Sequence, residues 1–126
     1  MINVVGGIIR KDGKILIAQR GQHKSLPGKW EFPGGKIEDG ESPEQALERE
    51  LLEEFGIAVM IQEHFHTNIH FYPTFDIRLI CYNCIFVQGE FSLTDHDQVQ
   101  WCDPRDLLKY DFAEADIAAV KMLMGE

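Results

Sequence analysis

Apolar and polar residues follow two rhythms along this chain. Residues 2–10 and 14–19 are apolar, β-branched runs, the mark of strands, and Lys11-Asp12-Gly13 between them carries the Asp-Gly pair of a tight hairpin. Residues 58–71, 75–87 and 98–102 also read as strands, with turns at Tyr72-Pro73-Thr74 and Gln88-Gly89. Between these groups the period changes. Leu47, Leu51 and Phe55 recur every four residues among Glu, Gln, Ala and Arg, which predicts an amphipathic helix over 42–55. Ser42 suits its N-cap, Pro43 its first helical position, Gln45 a capping box and Gly56 its stop.

Arg20 to Lys29 is polar and contains Pro27-Gly28, and Trp30-Glu31-Phe32 leads into the breaker Pro33-Gly34-Gly35. This stretch reads as a surface loop over a binding cleft. A short helix is expected to open at Asp103-Pro104, and a last one to run from about Glu114 to Met124 with Ile117 and Val120 along one side. Strands on both sides of an internal helix, with a closing helix, predict an α/β fold: a mixed sheet with helices on its faces. The 126 residues suit a single domain over 1–126.

Composition removes several classes. No apolar run approaches the ~20 residues of a membrane span, and the start shows neither the charged region nor the cleavage site of a secretory signal. A cytoplasmic location without membrane partners is the expectation. Cys81 and Cys84 form a C-x-x-C, but they lie in the strand-like run IRLICYNCIF, where residues three apart point to opposite faces. With Cys102 they read as reduced thiols rather than a zinc or redox site. His64, His66 and His70 would share one face of a strand over 58–71, and read as surface or pocket-lining residues.

The net charge of −9 is unevenly spread, with +5 over residues 1–37, −7 over 38–54 and −7 over 55–126. Long nucleic acids need clustered Lys and Arg, so they are excluded as partners. A small anion held through metal ions remains open. On the 42–55 helix, about 100° per residue puts Glu50, Glu53 and Glu54 in one sector beside the apolar stripe, facing a cleft. Carboxylates so spaced repel one another, and Arg49, able to reach Glu53 at i+4, offsets only part of this. Hard oxygen ligands suit Mg²⁺, or Mn²⁺ in its place. A solvated helix face is the alternative reading of the same residues.

The segment from Gly35 to Ile57 resembles the Nudix box, G-x5-E-x7-R-E-U-x-E-E-x-G-U with U bulky and aliphatic. Gly35, Glu41, Arg49, Glu50, Leu51, Glu53, Glu54, Gly56 and Ile57 fill its fixed positions without a miss. The opening hairpin, Arg20 and the string from Trp30 to Lys36 extend the likeness to the MutT branch of the Nudix hydrolases. The resemblance implies an α/β/α sandwich with a loop–helix–loop motif. It implies Mg²⁺ held by Glu50, Glu53, Glu54 and the Gly34 carbonyl, with Gly35 and Glu41 supporting the loop and Arg49 orienting carboxylates. It also implies hydrolysis of a nucleoside triphosphate to the monophosphate and pyrophosphate. The base that takes a proton from water would be Glu53 or an acid of a later loop, Asp95 with Asp97 as alternative.

Arg20 and Lys36 are expected to contact phosphates, whereas Lys24 and Lys29 can be solvent-exposed charges. By the same resemblance Asp116 would read the base edge; its alternative is to cap the last helix. Phe32 and Tyr72 could stack on the base or fill core. An oxidised purine such as 8-oxo-dGTP, or CTP and modified dCTP, would suit the Asp116 segment. ADP-ribose or a nucleotide sugar is the second reading, and a non-catalytic nucleotide-binding module the third. The assembly is expected to be a monomer or homodimer.

Overall fold

The computed structural model describes residues 1–125. Seven strands and two α-helices follow the chain: β1 (Ile2–Lys11), β2 (Lys14–Arg20), β3 (Trp30–Glu31), β4 (Gly34–Lys36), α1 (Pro43–Glu50), β5 (Ala58–Phe71), β6 (Asp76–Gln88), β7 (His96–Cys102) and α2 (Glu114–Leu123). They form one mixed sheet in the order β3-β2-β1-β6-β5, with β4 added to β1 and β7 to β2. β1 and β6 run parallel over Ile2 to Arg10 while the other pairs are antiparallel.

The hairpin forms at the Asp-Gly turn, where Asp12 and Gly13 both take positive φ, 52° and 77°. β1 and β2 pair directly only at Arg10–Ile15 and Lys11–Lys14. Beyond that they splay: β1 gives Val4 to Gly6 to β4 and β2 gives Ala18 and Gln19 to β3, while β7 pairs with the other edge of β2 from Ile15 to Arg20. The end of the expected surface loop, from Trp30 to Gly35, instead enters the two short strands β3 and β4, with Trp30 and the intervening Phe32 buried. Strands of two and three residues are too short to show periodicity, and Pro33-Gly34-Gly35 masks them.

Two cores flank the sheet. On one side Ile8, Ile17, Leu79 and Leu107 pack with Ala119 and Val120 of α2, and on the other Val5, Ile9 and Leu16 pack with Leu47 of α1 and with Leu51 and Phe55 just after it. The result is the α/β/α sandwich. Leu47, Leu51 and Phe55 are essentially inaccessible, each stabilising the packing of the helix by about 1.5–3 kcal/mol. Cys81 joins the α2 side and Cys84 the α1 side, as strand alternation requires. All three cysteines are free and buried, and burial pushes the Cys81 and Cys84 thiols well up.

Ser42 and Gln45 form the capping box on α1, with Pro43 in its first turn. The helix does not continue regularly to Phe55: Leu51–Phe55 is a wider π-type turn closed by Gly56 at φ 73°, where the Gly56 N–H reaches Leu51. β5 also departs from regularity, with register shifts on both sides of His64. His64 therefore packs edge-on against Tyr82 of the α1 side, while His66 stands opposite Cys81 of the α2 side. The three histidines do not share a face, because a bulge inverts the alternation.

Candidate active site

A cleft of about 600 Å³ opens where β1, β3, β4 and α1 meet the lead-ins to β7 and α2, a size suited to a small molecule. One half is apolar, with Val4, Phe32, Tyr72, Phe75, Ile77 and Leu79 around Asp116. The other carries charge: Gly34, Gly35, Lys36, Glu50 and Glu54 on the α1 side, and Arg20, Lys24 and Asp95 on loops and strand ends. In all, six carboxylates and three basic side chains line the cleft. Such a site repels a polyphosphate unless cations enter with it.

Arg49 organises the acidic wall. Its guanidinium holds Glu41 through two hydrogen bonds of 2.7 and 2.9 Å, Glu50 at 3.0 Å, the Lys36 carbonyl at 3.2 Å and Glu53 at 3.3 Å. The expected i+4 contact exists, yet Glu41, eight residues earlier, is the principal partner. Glu41 also accepts from the Glu38 N–H at 2.9 Å. Its carboxyl is drawn down to about 2, first by the Arg49 hydrogen bonds and then by the Glu38 N–H. Glu50 moves the other way, since burial raises its pKa more than Arg49 lowers it.

Glu53 does not face the cleft as expected; its side chain is 59% exposed. A widened turn advances each residue by less than 100°, so Glu53 falls further round from Glu50 while Glu54 stays on the cleft side. Glu54 accepts a hydrogen bond from the Thr94 hydroxyl, which ties the loop before β7 to this wall. Asp95 on that loop lines the cleft beside Glu54. It is held below the usual carboxylate range first by a hydrogen bond with Glu54, then by Lys24 at 3.5 Å and by His23. Lys24 is thus part of the site. Lys29 stays outside, paired with Asp111 at 2.9 Å. Asp97, the alternative to Asp95, is exposed and outside the lining.

Two glycines permit this packing. A Cβ on Gly34 would stand 1.9 Å from the Val5 carbonyl oxygen, and one on Gly35 would stand 2.4 Å from the Glu50 carboxyl carbon. Close approach of β4 to β1 and of Glu50 to β4 both require the missing side chain.

At the junction of the two halves, Arg20 pairs with Glu31 at 2.9 Å, and Glu31 meets His96 at 2.7 Å. Asp116 lies deeper, 5% exposed, and its Oδ2 accepts from the Phe32 N–H at 3.0 Å. It does not cap α2, whose N-cap is Ala113 without a side-chain bond. Burial and then the nearby Glu31 raise the Asp116 pKa well above the usual range. Phe32 belongs to the core, 3% exposed with its ring 5.5 Å from Phe112, and only borders the cleft. Tyr72 is held by the Ala115 N–H at 3.0 Å and stacks on Phe75 at 4.9 Å.

A family model described as NUDIX domain matches residues 4–122. The CTP pyrophosphohydrolase of Escherichia coli K12 is 40% identical over 99% of this chain and 93% of its own length. The 8-oxo-dGTP diphosphatase of Haemophilus influenzae is 35% identical over 100% of this chain and 93% of its own. The solution structure of the E. coli ORF135 protein superposes with a TM-score of 0.86 at 39% identity, covering 99% of this chain and 89% of that one. This chain belongs to the Nudix family.

Nudix hydrolases generally depend on a divalent metal. In this Nudix chain the donor set fits a hard cation: Glu50, Glu54 and Asp95 bring carboxylate oxygens to one cleft beside the backbone of Gly34. Among the described residues no three acidic, histidine or cysteine side chains converge on one point; Arg49, Thr94 and Lys24 each engage one of these acids. Sequence reasoning missed His96, Glu31 and Phe75. His96 and Glu31 are 65 residues apart and meet only through the pairing of β7 and β3 with β2. The alternation of buried Trp30 and Phe32 around Glu31 was the one local signal for that residue.

Proposed function

We propose that this Nudix hydrolase converts a nucleoside or deoxynucleoside triphosphate to its monophosphate and pyrophosphate with Mg²⁺, removing oxidised or unwanted nucleotides from the cytoplasmic pool. Residues 1–126 would act as one domain. The two-part cleft carries the reading: an apolar base-sized half ending in a buried acid, joined to a charged half on the box helix. Relatives named for CTP and for 8-oxo-dGTP fit it.

Glu50, Glu54 and the Gly34 carbonyl would hold Mg²⁺, with exposed Glu53 turning in to join them. The ions would offset polyphosphate charge and promote ionisation of the attacking water. Arg20, Lys24 and Lys36 would bind phosphate oxygens, Arg20 through N–H groups its protein partners leave free. Asp95, held below the usual carboxylate range and beside Glu54, would take the proton of the attacking water. Glu41 would act through Arg49, holding Glu50 in place.

Asp116 would read the base. Burial favours its neutral form, which would present one donor and one acceptor, whereas an aspartate anion only accepts. A neutral carboxyl therefore complements a base edge with one donor and one acceptor side by side, as in an oxidised purine or cytosine.

The test is a product screen with Mg²⁺ over normal and oxidised nucleoside triphosphates, ADP-ribose and nucleotide sugars, with Glu50→Gln and Glu53→Gln as controls. Monophosphate and pyrophosphate from a triphosphate, abolished by chelator and strongly reduced in both variants, support the proposal. Cleavage of ADP-ribose alone replaces it with the second reading, and binding without turnover replaces it with the binding module.

A further inference from the structure

β7 opens with His96, whose side chain is 6% exposed and whose ring packs on Phe55 with centroids 4.7 Å apart. Nε2 lies 2.7 Å from Glu31 Oε2, while Nδ1 is buried without any partner. A proton on Nδ1 would be a buried donor with nothing to bond, whereas a proton on Nε2 meets a carboxylate. Nε2–H is therefore the ring's donor, and it is fixed on Glu31.

Glu31 passes that constraint on. Its other oxygen accepts from Arg20 Nη1 at 2.9 Å, and Arg20 is further held by the Ser25 carbonyl at 2.6 Å and the Ser25 hydroxyl at 3.0 Å. Three of five guanidinium N–H groups are used, leaving two for a ligand at the cleft wall. His96 stands opposite Arg20 on the neighbouring strand, at a register shift between Gln19 and Arg20 that re-aims the arginine. Without the His96 donor, Glu31 keeps Arg20 as its sole side-chain partner among the described residues and is free to rotate.

We infer that His96 is a positioning residue for substrate binding: through Glu31 it fixes the Arg20 guanidinium in the orientation that receives the triphosphate. The inference rests on the reading of Arg20 as a phosphate ligand. It assigns His96 no contact with substrate, so its effect falls on binding rather than on the chemical step.

The test compares His96→Met, which keeps volume but loses the donor, with His96→Gln, whose amide N–H replaces Nε2–H. Steady-state kinetics use CTP or 8-oxo-dGTP with Mg²⁺, whichever is hydrolysed faster. His96→Met is expected to raise KM about tenfold with kcat changed by less than about threefold, the scale of one charge-assisted hydrogen bond. His96→Gln is expected to recover most of that rise, and in an Arg20→Ala background His96→Met is expected to add nothing.

Equal KM for the parent and His96→Met, or a rise the Arg20→Ala background does not remove, overturns the inference while leaving Arg20 as a ligand. An Arg20→Ala variant with unchanged KM, or no turnover of either nucleotide, overturns the underlying reading and the inference with it. Imidazole nitrogen NMR on the unaltered protein gives a check independent of variant folding: a proton on Nε2 is expected, and an Nδ1–H tautomer with bare Nε2 overturns the proposal.

Discussion

Adjacent glycines in β4 should fail in opposite ways when each is replaced by alanine. A Cβ at Gly35 would stand 2.4 Å from the Glu50 carboxyl carbon and 2.5 and 2.8 Å from its oxygens, whereas ordinary contact begins at 3.4 Å. The carboxylate must withdraw by about 1 Å. It is the far end of a flexible side chain, and Gly35 is not among the residues at positive φ, so folding should lose less than about 1 kcal/mol. Catalysis is less tolerant, since a 1 Å misplacement of a catalytic group costs about 10²-fold in rate. At Gly34 the new Cβ would meet backbone, 1.9 Å from the Val5 oxygen and 2.8 Å from its carbon, and β1 cannot withdraw without opening the sheet. Gly34→Ala should therefore lose about 3 kcal/mol or more of stability, the upper range of overpacking. The assay is kcat on the best nucleotide substrate beside urea unfolding of both variants. A Gly35→Ala protein with kcat within threefold of the parent would refute the placement of Glu50 at the reacting centre. A Gly34→Ala protein of unchanged stability would refute the close approach of β4 and β1.

Two further outcomes follow from the charges. Because the Asp116 pKa is raised in the fold, its contribution is fully present below its unfolded pKa and is lost as pH rises through the folded value. Asp116→Asn should thus flatten the decline in Tm from about pH 4 upward, read by thermal melts at several pH values, and an unchanged slope would show that Asp116 is not buried neutral. Glu41→Gln should free Arg49 from its principal partner and lower kcat about 10- to 100-fold, as loss of a supporting residue does, with full kcat counting against the role of Glu41.

Much of the fold was legible because its long elements announce themselves locally. The Asp12-Gly13 turn, the Ser42–Gln45 capping box and the Leu47, Leu51, Phe55 stripe each use chemistry within a few residues. What escaped depends on partners distant in sequence. β3 and β4 exist only because β2 and β1 splay to receive them. The bulge around His64 and the wide turn through Glu53 break the two periodicities that placed those side chains. At the site, box spacing located Glu41, Arg49 and Glu50, but not the balance that makes Glu41 the main partner of Arg49, nor the contact that ties His96 to Glu31.

The central claim is cleavage of a nucleoside triphosphate to monophosphate and pyrophosphate, and phosphorus NMR of a complete reaction with Mg²⁺ tests it most directly. Equal amounts of nucleoside monophosphate and pyrophosphate, with no orthophosphate, are predicted for CTP or 8-oxo-dGTP. Nucleoside diphosphate with orthophosphate, or intact triphosphate after prolonged incubation, would contradict the account.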